Sequence, residues 1–219
     1  MKFQVRAQRL TRPTLKRSEG GGRPRVEGYG AVFYDPADAG TEYQLWDDCI
    51  ERIDPTCFNR ALAEKHPVRS CINHDPNMIL ARLDAGTLEL RVDKKGLWYS
   101  AEIPDTSVGN DLIKNLDNGN YDGSSFRFDL TGRRWEEEKQ GERWIAYRYL
   151  TDCTLYELGP VLFPAYDATT AGKRSQEVED VQAELAAWRQ AKRSLTDADD
   201  VEVRMALMRC TSGTLMSDL

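Results

Sequence analysis

The chain has 219 residues, 40% hydrophobic, 9% aromatic and 30% charged, with a net charge of −6. At roughly 150 residues per domain this describes one domain with extensions, and it excludes both a large multidomain machine and wholesale disorder. The longest uncharged run near the end, Leu158 to Tyr166, has nine residues and two prolines, against the roughly 20 apolar residues a membrane span needs.

Arginines crowd the first thirty residues and no apolar leader segment interrupts them, so the expectation is an intracellular protein without a membrane partner. Cys49, Cys57, Cys71, Cys153 and Cys210 are scattered and form no CxxC pair, which predicts reduced thiols. His66 and His74 are the only histidines, too few for a multi-histidine metal centre; no metal or organic cofactor is expected.

Residues 1–25 hold eight Lys/Arg against one Glu, leaving −13 for the other 194 residues. Such an arm could contact nucleic acid or an acidic partner. The alternation of Phe3, Val5 and Ala7 with Gln4, Arg6 and Gln8 instead favours a half-buried strand with its charges in water, and no direct nucleic-acid contact is expected. Gly20-Gly21-Gly22 ends this arm or strand as a turn.

From Val26 to about Thr170 short strand patterns dominate. They are expected at Gly28–Phe33, Cys49–Ile53, Val68–Ile72, Thr87–Val92, Leu97–Ile103, Tyr121–Leu130, Trp144–Tyr149 and Cys153–Val161. Lys94-Lys95-Gly96 makes the fourth and fifth a hairpin. Asp54-Pro55 starts a helix over Thr56–Lys65 with Phe58, Ala61 and Leu62 on one face. Thr106 or Ser107 starts a second, Val108–Asn118, that stops at Gly119 with Leu112, Ile113 and Leu116 inward.

The predicted fold is α+β and mainly β, a closed or barrel-like antiparallel sheet with a few flanking helices. Beyond Arg174 the strand signals stop. Val178, Val181, Leu185, Trp188 and Leu195 form a heptad-like seam, and Thr196-Asp197 can start a further helix. The division is therefore 1–25, 26–173 and a helical C-terminal tail over 174–219, the tail serving either as a partner-binding segment or as packing for its own domain.

Three places carry candidate chemistry. His74 follows a buried strand inside an Asp-Pro turn, where backbone holds the residue on both sides and the ring projects from the sheet edge, a good setting for a general base. His66, between Lys65 and Pro67, reads as a solvated linker residue. Ser124 and Ser125 open a strand after the Gly119 stop, and a period of two sends them to opposite faces, so one of them can face a site. Glu157 lies in an apolar strand where an unpaired carboxylate is costly; it needs a histidine or an arginine. Glu orienting His orienting Ser is one recurrent way to activate a hydroxyl.

The strings INHDPNMILARLDAGTLEL, GLWYSAEIPDT, GNYDGSSFRF and LYELGPVLFPAY, in this order and spacing, resemble the prohead serine proteases of tailed bacteriophages. The likeness spans about Gly28 to Thr170 and includes GYGAVF and IDPTCFNRAL upstream. It implies a capsid-maturation endopeptidase with an assemblin-like fold in residues 26–173. Such an enzyme works inside the prohead, assembled in the bacterial host cytoplasm. It cleaves a scaffold protein or the scaffolding segment of the major capsid protein, and itself, and a homo-oligomer is possible.

Carried over by motif, the family's catalytic histidine falls on His74, its serine on Ser125 and its acidic residue on Glu157; the fold analogy points to N–H groups near Ala165 and Tyr166 for the oxyanion. Two positions depart from the family: Arg127 stands where glycine is usual, sharing a face with Ser125, and Gly159 where serine is frequent. Arg127 could bind substrate, help an oxyanion or crowd the cleft. Competing readings are a noncatalytic assembly or scaffolding module that keeps the protease fold, and a cysteine protease in which Cys71 attacks through His74.

Overall fold

The computed structural model describes residues 4–8, 12–18, 20–162 and 177–194. The chain divides into two compact units, Met1–Ala168 and Thr169–Leu219. Eleven strands, two α-helices and a short 3-10 helix (Ala39–Thr41) are described in the first: β1 (Gln4–Gln8), β2 (Thr14–Lys16), β3 (Arg25–Val32), β4 (Tyr43–Trp46), β5 (Cys49–Ile53), α1 (Asn59–Ala63), β6 (Arg69–Cys71), β7 (Ile79–Arg82), β8 (Leu88–Val92), β9 (Gly96–Glu102), α2 (Ser107–Asp117), β10 (Gly123–Gln140) and β11 (Arg143–Val161). In the second unit, residues 177–194 form a helix, α3, whose buried positions are Val181 and Leu185. Leu195 and the further helix expected at Thr196-Asp197 lie outside the described residues.

The α+β, mainly strand character holds, but the barrel does not. One sheet has seven strands, in the order β1-β10-β11-β5-β4, with β6 paired to β11 and β7 to β6; the other has four, β2-β3-β9-β8. The larger sheet is not antiparallel throughout, because β11 runs parallel to β5 through its first half and to β6 through its second. With the outer edge of β11 taken by these two strands, no pairing among the described strands returns the sheet to β1, and it stays open.

Where alternation is clear, sequence and structure agree. Leu97, Tyr99, Ala101 and Ile103 are all buried, and β8 turns Leu88, Leu90 and Val92 inward while Glu89 and Arg91 face water. Helix α2 starts where expected: the Thr106 hydroxyl accepts from the Gly109 N–H at 3.2 Å, and Gly119 stops it at φ +71°. Helix α1 is shorter than its pattern, because residues 55–58 form turns before it; Phe58 and Ala61 are buried nonetheless.

Both sheets contribute to one core. Phe126 and Phe128 stack at 4.8 Å and Phe58 meets Phe126 edge-on at 5.5 Å. The four described cysteines are all buried thiols.

Two larger differences concern the strands that carry the site. The segments expected at Trp144–Tyr149 and Cys153–Val161 are one strand of 19 residues, hairpinned with the 18 of β10. Register shifts flank Gly132. The N-terminal strand departs from its expected pattern at Arg6 as well. Arg6, expected in water, is buried, and its guanidinium pairs with the buried Glu51 of β5, which also takes Arg148 Nη1 at 2.7 Å. Burial works to raise the Glu51 carboxyl, but the two guanidiniums outweigh it and hold the group below the usual carboxylate range.

Candidate active site

Ser125 lies at the start of β10, between β1 and β11. Alternation divides the two serines as expected. Ser124 meets the Tyr99 hydroxyl of the second sheet at 3.0 Å, while Ser125 Oγ lies 2.6 Å from His74 Nε2.

The other ring nitrogen, Nδ1, lies 2.6 Å from Glu157 Oε2 on β11. The structure thus joins all three residues in one line, although 51 and 83 positions separate His74 from its two partners. The Ser125 residue is 1% exposed, and the His74 and Glu157 side chains are 14% and 8% exposed, so these contacts form largely out of water.

The His74 turn is held against its own backbone preference. Asn73 and His74 both have left-handed φ, +53° and +59°; for non-glycine residues this costs on the order of 1–3 kcal/mol each and persists only when surroundings over-determine it. Asparagine tolerates the region best. Asn73 also supplies the hold: its N–H donates to Pro160 O at 3.0 Å and its Oδ1 accepts from the Leu162 N–H at 2.9 Å. Both partners lie just beyond Glu157, so the clamp ties the histidine to the strand that carries its carboxylate.

Gly159 has a steric reason in the same place. A Cβ there would lie 2.1 Å from Cys71 O, because β6 runs tight beside β11. Gly159→Ala is therefore expected to cost roughly 1–3 kcal/mol through forced backbone shifts and to loosen the His74 turn. Thermal unfolding checks this, and an unchanged midpoint contradicts it.

Ser125 Oγ has a second acceptor, Arg6 O of β1, at 2.9 Å. One hydroxyl proton cannot serve both. With the proton on Arg6 O, His74 Nε2 must be the donor, as in an imidazolium. With it directed at Nε2, a neutral imidazole is poised to take it. Nothing in the sequence pointed to this contact, because it comes from a backbone carbonyl 119 residues away.

Arg127 occupies the face expected for it. Its Nη2 donates to His74 O at 3.3 Å, and its Nε lies 3.9 Å from Glu157 Oε2, so Glu157 has both the histidine and the arginine. His66 stands in the linker between α1 and β6 as expected but is half-buried, its ring packed edge-on against Tyr156 at 5.3 Å. Cys71 is a poor nucleophile, since burial and then the Glu157 charge push its thiol up to about 12. Ala165 and Tyr166 lie outside the described residues.

A serine, a histidine and a carboxylate in this order recur on unrelated folds, so kinship needs separate support. The solved structure of the bacteriophage T4 capsid assembly protease, gp21, is similar over 74% of this chain and 98% of its own, at 11% identity and a TM-score of 0.45. None of the curated proteins is similar in sequence. The model of the caudovirus prohead serine protease family matches residues 12–184, which include α1, α2, every strand from β2 to β11, and the three residues of the line. A match over that much of the sequence is decisive, and the chain belongs to the caudovirus prohead serine protease family.

Proposed function

We propose that the chain is a serine endopeptidase of prohead maturation, with Ser125 as nucleophile, His74 as general base and acid, and Glu157 as the group that orients the imidazole. The observation that carries this reading is the unbroken Glu157–His74–Ser125 line, with both contacts at 2.6 Å. Its substrate is the scaffold protein or the scaffolding segment of the major capsid protein, together with its own chain, inside the prohead. The reading includes a fold relationship to herpesvirus assemblins, which the sequence resemblance implies.

The chemistry follows from the line. His74 Nε2 takes the hydroxyl proton as Ser125 Oγ bonds to the peptide carbonyl carbon, and the carbonyl oxygen becomes an oxyanion. The imidazolium, stabilised by Glu157, returns the proton to the leaving amine as the C–N bond breaks. Water then attacks the acyl-enzyme, giving its proton to His74, and Ser125 is released.

Glu157 fixes the tautomer with the proton on Nδ1. Glu157→Gln is therefore expected to lower kcat by about 10³–10⁴ with little change in KM, as removal of the charge does in this type of triad. Steady-state kinetics on a cleaved peptide checks it; a loss below tenfold contradicts the orienting role.

Coexpression tests the function itself. The full chain and its Ser125→Ala variant are each produced with a candidate major capsid or scaffold protein, and intact masses are compared. Fragments with the wild type alone support the proposal and map the cut sites. Uncut partners in both, in normally assembled shells, favour a noncatalytic assembly module.

A further inference from the structure

Strand register extends the face that carries Ser125 sideways across the larger sheet. Residues paired in a ladder share a face. Arg127 stands opposite Glu157 on β11, Glu157 beside Arg69 on β6, and Arg69 opposite Arg82 on β7, so these four form one row on the Ser125 side. The next row, Phe126, Leu158, Ser70 and Ala81, is buried on the other face.

Arg69 is the unmatched member of its row. Arg127 donates to His74 O, and Glu157 is taken by His74. Arg82 holds Asp84 through both carboxylate oxygens, and the Asp84 carboxyl is kept below its usual range chiefly by Arg82 and last of all by Arg69. Asp75, in the His74 turn, accepts from the Asn77 N–H and side-chain amide. Arg69 itself is exposed, with one long hydrogen bond from Nη1 to Pro67 O at 3.5 Å. Among the described residues no carboxylate comes within ion-pair distance of it. Like charges directly opposite on a ladder destabilise it. An arginine kept opposite another arginine, with no carboxylate of its own, fits a site completed by an acid from outside the chain.

We propose that Arg69 is a specificity-determining residue that receives a carboxylate side chain of the substrate, a few residues from the bond that is cut. This rests on the serine-endopeptidase reading above. Two strand spacings and one two-residue repeat separate Arg69 from Ser125, roughly 12 Å, a span that about three or four extended residues cover. A guanidinium presents a planar fork of donors that matches a carboxylate, and the single bond to Pro67 leaves most of that fork for a ligand.

The test uses the full chain and peptides spanning a mapped cut site, with each nearby Glu or Asp replaced in turn by its amide. Arg69→Gln is expected to raise KM on the unaltered peptide by about three- to fivefold, the upper range for an exposed ion pair, with kcat within about twofold of wild type. On one amide peptide the wild type should show the same rise and Arg69→Gln no further one, because both changes remove a single interaction. Arg69→Glu should prefer a peptide with Lys at that place, and added salt should shrink the wild-type preference. The unfolding midpoint of Arg69→Gln should equal or exceed that of the wild type, since repulsion from Arg82 is relieved.

Losses that multiply on every amide peptide overturn the proposal. So does a lowered midpoint with equal loss on all peptides, which would make Arg69 structural. A mapped site with no Asp or Glu within about four residues of the cut, the reach set by strand geometry, overturns it and leaves the endopeptidase reading intact. If no partner is cut, or Ser125→Ala cuts as well as the wild type, the endopeptidase reading fails and the acidic subsite falls with it.

Discussion

Ser125→Ala is expected to lower kcat on a mapped peptide by roughly 10⁴–10⁶-fold, and His74→Ala by a similar factor. The two losses should not add. In the proposed roles nucleophile and base would act as one unit, so the double variant should be about as slow as either single one, its residual rate coming from substrate binding and oxyanion stabilisation. Folding should survive, because Ser125→Ala removes only an oxygen from a side chain enclosed among β1, β10 and the His74 turn. Circular dichroism and unfolding midpoints separate lost chemistry from lost structure. Independent, multiplying losses would mean that His74 acts on something other than Ser125.

The second large effect is on stability. Glu51→Ala leaves the guanidiniums of Arg6 and Arg148, on residues 7% and 2% exposed, without the carboxylate that both of them reach. Removing one partner of a buried ionic cluster costs about 3–5 kcal/mol, a large share of the roughly 5–15 kcal/mol that holds a typical domain. Urea unfolding measures it. Because β1 also supplies the carbonyl facing Ser125, cleavage should fall along with stability. Glu51→Gln, which keeps the shape and one acceptor, should lose less. A loss under about 1 kcal/mol in the alanine variant contradicts the account of how β1 is anchored.

The same cluster sets a pH dependence. The Glu51 carboxyl is held below its ordinary range in the folded chain. Its stabilisation is therefore fully present above the unfolded carboxylate's range and is lost as pH falls through the lowered folded value. In Glu51→Gln this part of the acid dependence should be missing.

Much of the first unit was legible because its signals are local. Cys49–Ile53 matches β5 residue for residue, with Cys49, Glu51 and Ile53 buried in alternation with Ile50 and Arg52. Thr106 and Gly119 bound α2 because capping and left-handed termination each need a particular residue type at a particular place. Pairing partners are another matter. Arg6 reads as a solvent-facing charge until Glu51, 45 residues on, is known to lie beside it. The polar stretch Arg133–Gln140 hides an extended half of β10 whose alternation is carried by charges, with Trp135 the buried exception.

The barrel failed for a related reason. Closely spaced strands predict a sheet, but whether it closes depends on what the outer edge of β11 meets, and the parallel strands β5 and β6 come from far earlier in the chain. For the site, period-two geometry alone put Arg127 on the Ser125 side. The turn of His74 was visible in Asp-Pro, but its left-handed backbone was not. Joining His74, Ser125 and Glu157 across such separations came only from the linked motifs of the resemblance, since no local pattern encodes that meeting.

The most direct measurement is covalent trapping. The full chain is treated with a fluorophosphonate, which reacts with activated serine hydroxyls, and intact mass followed by peptide mapping locates the adduct. One adduct on Ser125, absent from Ser125→Ala and strongly slowed in His74→Ala, is the predicted result. No adduct, or one elsewhere that persists in Ser125→Ala while the protein still cleaves its substrate, would contradict the assignment of Ser125 as the nucleophile.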